Sequence, residues 1–278
     1  MIDTAKHRFD LVNNNALITG GGGLLGPQHG IALAKWGAVV VLVDIDEAGL
    51  KYAKNKILDK IPEGIIKTAV VDITQEAALV ELRNQINNEG LPIDILINNA
   101  ALNPKMDSFN NKETGTVEDY DMELWDREIK VGITGTFLCC KIFGTEMANR
   151  GSGVIVNIAS DLAIQAPDQR VYSESGRMED VKHFKPIGYP VVKSAMLGLN
   201  RYLATYWAHK GVRVNCLVPG AVLTTQSDHL VKNISYRVPI GRLAEKYEYQ
   251  EAIAFLASDA SSYMTGQEII MDGGRSIW

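Results

Sequence analysis

Tyr189 stands four residues before Lys193 at the head of an apolar-striped run, Tyr189-Pro-Val-Val-Lys193-Ser-Ala-Met-Leu-Gly-Leu. On a helix, positions i and i+4 share a face, so an ammonium can sit beneath a phenol and favour its ionised form. A tyrosine with a free pKa near ~10 then becomes an acid or base usable near neutrality. The same spacing recurs at Tyr52/Lys56 and Tyr206/Lys210, so the pair acquires meaning only from the elements that carry it.

Those elements follow from hydrophobic patterning. Short β-branched runs at 16–19, 38–43, 66–71, 93–97, 154–158, 212–218 and 268–271 alternate with helical patterns over 31–36, 75–87, 122–147, 191–209 and 247–256. Near-continuous apolar strands separated by helices imply a parallel sheet covered on both faces. The expected fold is α/β, a single-domain doubly wound Rossmann-like sheet of about seven strands spanning residues 1–278. No repeat or low-complexity linker divides the chain.

Composition narrows the function classes. The 46% hydrophobic and 22% charged content is ordinary for a globular protein, and a formal charge of −5 gives no reason to propose nucleic acid or an anionic membrane as partner. The N-terminus has no apolar core of signal-peptide length and no run approaches a membrane span, so a cytoplasmic location is expected. Three cysteines, two of them the neighbours Cys139 and Cys140, fit free thiols better than a disulfide framework. The five histidines lack metal-ligand spacing, and no metal is assigned.

In a doubly wound sheet the ligand crevice lies at the carboxyl ends of the strands. After the first strand comes Thr19-Gly-Gly-Gly-Gly-Leu-Leu-Gly26. Glycines let the backbone approach a pyrophosphate, and the helix that follows offers unpaired N–H groups and positive dipole charge. The bland alternative is a plain strand-to-helix connection. Asp44, after the second strand, lies about 24 residues beyond Gly20, near the spacing for a carboxylate that accepts from an adenosine ribose. It would repel a 2′-phosphate, which favours NAD(H) over NADP(H), whereas Asp46 and Glu47 are better placed to cap the next helix. Asp72, after the third strand, contacts adenine or else caps a helix beginning near Thr74.

Taken in chain order, these pieces resemble a classical short-chain dehydrogenase/reductase. The resemblance rests on the 19–26 turn, Asp72, Asn98-Asn99-Ala100, Ser160 after Asn157-Ile-Ala, Tyr189-x-x-x-Lys193, Pro219-Gly220 with Thr224, and the ending Thr265-Gly-Gln-Glu-Ile-Ile-Met-Asp-Gly-Gly274. It implies hydride transfer between nicotinamide and a secondary alcohol or its carbonyl. Tyr189 would be the general base or acid, Lys193 would lower the phenol pKa and bond the nicotinamide ribose, and Ser160 would orient the substrate oxygen. The implied cofactor contacts are Gly20, Gly22, Gly23, Leu25, Gly26, Asp44, Asp72, Ile73, Asn99, Ala100, Tyr189, Lys193, Pro219, Gly220, Val222 and Thr224, with Gly26 packing helix on strand. It also selects among the three Tyr/Lys pairs, since Tyr189 alone opens the helix after the fifth strand. A homo-oligomer, dimer or tetramer, is implied, pairing through the helices at 122–147 and 191–209.

Three departures stand out. Leu24 replaces the family's usual middle glycine. Gly132, in Lys130-Val-Gly132-Ile-Thr-Gly135, replaces the central-helix asparagine that holds a relay water. Ser160 and Tyr189 lie 29 residues apart where the family has about a dozen, which leaves an insertion near 165–186 as a lid or as a plain surface loop. Its Arg170, Arg177, Lys182 and Lys185 are candidates to meet an anionic or sugar substrate, and the polar stretch 103–121 is expected over the same cleft. Gly-Leu-Leu-Gly, the long loop and Tyr-Leu-Ala-Thr-Tyr-Trp resemble, more narrowly, dehydrogenases of flagellin glycosylation and nonulosonic acid synthesis, which points to a sugar or nucleotide-sugar. Two alternatives stay open: an NAD-dependent epimerase or dehydratase, and a catalytically silent NAD-binding scaffold suggested by Gly132.

Overall fold

A computed structural model describes residues 7–103 and 115–278. The strands are β1 (Asn15–Thr19), β2 (Val39–Asp44), β3 (Ile66–Val70), β4 (Ile95–Asn98), β5 (Gly153–Ile158), β6 (Val212–Pro219) and β7 (Glu268–Met271). They form a seven-stranded sheet in the order β3-β2-β1-β4-β5-β6-β7 with every pairing parallel. The central strands are buried on both faces, which is why their sequences read as near-continuous apolar runs. At the β3 edge burial gives way to alternation, as in Lys67-Thr68-Ala69-Val70.

Helices α1 (Gly26–Lys35), α2 (Glu47–Leu58) and α3 (Glu76–Asn88) make the first crossovers. The long central helix runs as α4 (Met122–Ile129), a π-wound stretch Lys130–Gly135, α5 (Thr136–Cys139), a second π stretch Cys140–Gly144, and α6 (Thr145–Arg150). Then follow α7 (Gly188–Trp207), α8 (Asp228–Ser235) and α9 (Gln250–Ala257). One core layer packs α1, α2 and α9 on one face of the sheet, and a second packs α3, the central helix and α7 on the other.

The seven strands fall where patterning places them. Helix α1 starts five residues before its apolar pattern because Gly26 and Pro27 occupy its first turn, where a proline has no N–H to lose. Helix α8 has no counterpart in the sequence reading. The expected stretch 103–121 lies largely outside the described residues. No helix among the described residues is long and apolar enough to cross a membrane.

The strand order reverses between β1 and β4, which opens a crevice at their carboxyl ends. The Thr19 hydroxyl ties the two ends together by accepting from the N–H groups of Asn99 and Ala100, both at 3.1 Å. Beneath it a buried amide ladder runs from Asn98 to Asn157 (2.9 Å) and on to Asn200 (3.3 Å), fixing β4, β5 and α7 in one frame. Asn98 thus faces the interior, while Asn99 turns back to Gly20 O at 2.9 Å and lines the crevice.

Candidate active site

The crevice encloses about 2000 Å³ and runs from the glycine turn to the start of α7. Its floor at one end is Gly20 and Gly23 with Leu25, flanked by Asp44, Asp72, Ile73, Asn99 and Ala100; at the other are Pro219, Gly220, Val222 and Thr224. Ser160, Tyr189 and Lys193 share the wall between. Gly22 and Gly26, expected to touch the cofactor, do not line it. Gly22 backs onto α2, where a Cβ would stand 2.8 Å from the Gly49 carbonyl carbon, and a Cβ on Gly26 would stand 2.5 Å from Gly21 O of the turn itself.

The turn suits a pyrophosphate. Gly20 takes φ +62, and a Cβ there would meet Ala100 Cα at 2.8 Å. The N–H of Gly22 is taken by Asp44 Oδ2 (3.0 Å) and that of Gly23 by Gly20 O (3.1 Å). The N–H groups of Leu24 and Leu25 have no acceptor among the described residues and stand at the N-terminus of α1, where an anion is favoured. Leu24 tolerates its place because its φ is not left-handed and its side chain is exposed.

Asp44 closes β2 and accepts from Gly22 and, through Oδ1, from Asp46 N–H at 3.1 Å. Asp72 accepts from Thr74 N–H at 2.9 Å while lining the crevice, and α3 itself begins two residues later at Glu76. Asp46 is the residue before α2 but makes no side-chain cap bond.

Tyr52 and Tyr206, of the competing pairs, are exposed on outer helix faces. Tyr189 is held at the first turn of α7, and the Lys193 Nζ, 5.6 Å from its ring centroid, donates to Ile158 O at 2.5 Å. Burial lowers the Lys193 ammonium to about 8. Burial also pushes the Tyr189 phenol up to about 12; the Ser160 hydroxyl opposes that shift and Asp161 reinforces it.

Two acidic neighbours of the site, Asp161 and Glu128, were not singled out in sequence. Asp161, next to Ser160, accepts its hydroxyl at 3.0 Å and is held by Arg275 Nη1 at 2.6 Å, a buried pair joining residues far apart in the chain. Glu128 of α4 is buried beside Gly188, accepts from Tyr120 Oη at 2.6 Å, and has its second oxygen without a partner among the described residues. Burial raises its carboxyl above the usual range. The signal available in sequence was only adjacency: Asp161 follows Ser160, and Arg275 follows the Asp-Gly-Gly ending.

The insertion is bound to the fold. Asn233 of α8 donates to Val171 O (3.0 Å) and Ser173 O (3.1 Å), and Arg237 donates to Asp168 Oδ2 at 2.6 Å. Of its four cations Lys185 alone lines the crevice; Arg170 is paired to Asp168 at 2.8 Å, while Arg177 and Lys182 are exposed.

Residues 25–276 match the family described as Enoyl-(Acyl carrier protein) reductase. The chain belongs to the short-chain dehydrogenase/reductase family. It is 30% identical to D-threitol dehydrogenase of Mycolicibacterium smegmatis, over 97% of this chain and 95% of that one. It superposes on a gluconate 5-dehydrogenase from Burkholderia cenocepacia in complex with NADP and tartrate, with a TM-score of 0.83, 26% identity and 98% of each chain covered. It is similar also to a short-chain dehydrogenase of Leptospira borgpetersenii with bound NAD+, with a TM-score of 0.82, 27% identity, and 99% and 97% coverage. This short-chain dehydrogenase/reductase is an oxidoreductase that interconverts a secondary alcohol and a carbonyl with a nicotinamide cofactor.

Proposed function

We propose that the enzyme acts on a hydroxyl of a polyol, sugar or sugar derivative with NAD(H), using Tyr189 as acid/base, Ser160 to orient the reacting oxygen and Lys193 to hold the nicotinamide ribose. The observation that carries this reading is the convergence of these three side chains on one wall of the crevice at the end of β5, opposite the glycine turn. When bound, the nicotinamide supplies the hydride acceptor or donor and, when oxidised, a positive charge. Tyr189, protonated at neutral pH, delivers a proton to a carbonyl oxygen directly and must be deprotonated to act as base in the reverse direction. The Ser160 hydroxyl donates to Asp161 in this structure, and the same hydroxyl turned toward the phenol or the substrate oxygen would donate there.

NAD(H) is favoured because Asp44 brings a carboxylate to the ribose end of the crevice and no Lys or Arg occurs between Gly20 and Gly30. Residues 165–186 and α8, stapled through Asn233 and Arg237, would form the wall over the substrate and move as one lid. The narrower resemblance to enzymes of flagellin glycosylation and nonulosonic acid synthesis supports a sugar or nucleotide-sugar substrate. A homo-oligomer is supported by the exposed Phe137, Tyr202 and Tyr206 on the central helix and α7. Incubation with NAD+ and a panel of polyols and sugar acids, followed by NADH absorbance, tests the reading. Turnover should vanish in Tyr189→Phe with NAD+ binding retained. Turnover in Tyr189→Phe equal to wild type removes the acid/base assignment.

A further inference from the structure

Lys185 comes from the insertion, yet its ammonium lies closer to the Tyr189 ring than that of Lys193, 4.5 Å from the centroid against 5.6 Å. Its backbone is clamped by Gln169, which accepts the Lys185 N–H at 2.7 Å, and its Nζ donates to Asn103 Oδ1 at 2.5 Å. Two of the carboxylates on this side of the crevice already have cationic partners: Asp161 is paired with Arg275 at 2.6 Å and Asp168 with Arg170 and Arg237 at 2.8 and 2.6 Å. Glu128 accepts from the neutral Tyr120 hydroxyl at 2.6 Å and reaches Lys185 only through space. Lys185 has no carboxylate within 4.0 Å among the described residues and lines the crevice beside Tyr189.

We propose that Lys185 is a specificity-determining residue that binds a carboxylate of the substrate, placed a few bonds from the carbon that reacts at Tyr189. The substrate class is therefore a short hydroxy acid, a polyol or sugar bearing a carboxylate. This rests on reading Ser160 and Tyr189 as the groups that meet the reacting hydroxyl. The reach follows from geometry: an ammonium over the ring face is a few ångströms from the phenol oxygen at the ring's edge, so a substrate oxygen on Tyr189 leaves its near substituents beneath Lys185. A single ammonium with an amide neighbour matches the charge of one carboxylate. A phosphate ordinarily recruits more donors, such as an arginine fork or a helix N-terminus.

The charge of Lys185 is itself tunable. Burial lowers the ammonium to about 8, while Glu128 from α4 and Asp161 from the end of β5 pull the other way. The remaining groups facing it, Tyr189 of α7 and Asn103 after β4, carry no charge at neutral pH. Carboxylate binding should then fade as pH rises through about 8.

A four-carbon pair isolates the effect: tartrate carries two carboxylates, and threitol carries hydroxymethyl groups in their place. Each is titrated calorimetrically into the enzyme saturated with NAD+, or with NADP+ should that alone bind. In Lys185→Met, tartrate binding should weaken at least tenfold, about 1.4 kcal/mol, with threitol unchanged. Lys185→Arg should stay within a few-fold of wild type and, unlike wild type, keep its tartrate affinity between pH 7 and 9. Equal weakening of both ligands in Lys185→Met overturns the proposal, and so does a wild-type complex that binds tartrate no better than threitol. Failure of either nicotinamide cofactor to bind wild type would instead sink the cofactor reading, so the two failures are distinguishable.

Discussion

Val192 fills the volume that any side chain at Gly132 would need, its Cγ1 pressing on the position of a Cβ there. The central helix and α7 therefore meet at van der Waals distance where the family's asparagine would hold water, and Gly132 is a packing residue. Restoring the asparagine should harm the enzyme. Gly132→Asn is expected to lower the melting temperature by several degrees and to reduce turnover, since overpacking typically costs about 1–3 kcal/mol. Adding Val192→Ala should recover most of the stability. Thermal unfolding and steady-state rates of the two variants check this, and an undisturbed Gly132→Asn enzyme with higher turnover contradicts it.

Asp44 ties the glycine turn to the end of β2 by accepting from Gly22 and Asp46 at the crevice. NAD+ should bind more tightly than NADP+, because a 2′-phosphate would face this carboxylate. Asp44→Ser should narrow that preference by about tenfold, equivalent to about 1.4 kcal/mol, and loosen the turn enough to weaken both cofactors somewhat. Fluorescence titration of both dinucleotides on both proteins measures it. An unchanged ratio in Asp44→Ser excludes the carboxylate as the discriminating group.

Much of this was legible in sequence because burial on both faces writes β1, β2, β4, β5 and β6 as near-continuous apolar runs, with the glycine turn and Ser160 at strand ends and Tyr189/Lys193 opening the helix after β5. What sequence hid depends on long-range contact. Lys185 was one of four equivalent cations in the insertion, and only the fold brings its ammonium over the Tyr189 ring. The pairing of Asp161 with Arg275 spans 114 residues and leaves no periodic trace. Why Gly22 and Gly26 must lack a Cβ shows only in the fold, where one backs onto α2 and the other onto the carbonyls of its own turn. Helix α8 is short and has no fully buried residue, so its pattern is faint.

Burial of Tyr189 predicts a marked pH asymmetry. With the phenol pushed up to about 12, the base form is scarce at neutral pH and grows as pH rises. Alcohol oxidation should therefore accelerate with pH with a slope of about one on a logarithmic plot. Carbonyl reduction, which uses the protonated phenol, should show no such rise over the same range. The stability sign agrees, since a raised tyrosine pKa contributes fully below about 10 and is lost as pH rises through about 12. Initial rates in both directions from pH 6 to 10 test this, and equal pH dependences in the two directions would exclude Tyr189 as the titrating group.

His29, on α1 below the glycine turn, is fully buried, and its ring meets the Asn99 side chain without a well-formed hydrogen bond. Burial lowers it from 6.5 to about 4, with Asn99 opposing and Lys193 adding to the shift. The folded state thus resists protonation that the unfolded chain accepts. Its contribution to stability is complete above pH 6.5 and declines as pH falls toward 4, a loss of about 2 kcal/mol by pH 5. His29→Leu removes the titrating group and a desolvated polar ring, so its urea-unfolding free energy should fall less than that of wild type between pH 7.5 and pH 5. If both proteins lose the same stability over that interval, His29 is not the acid-sensitive element beneath the turn.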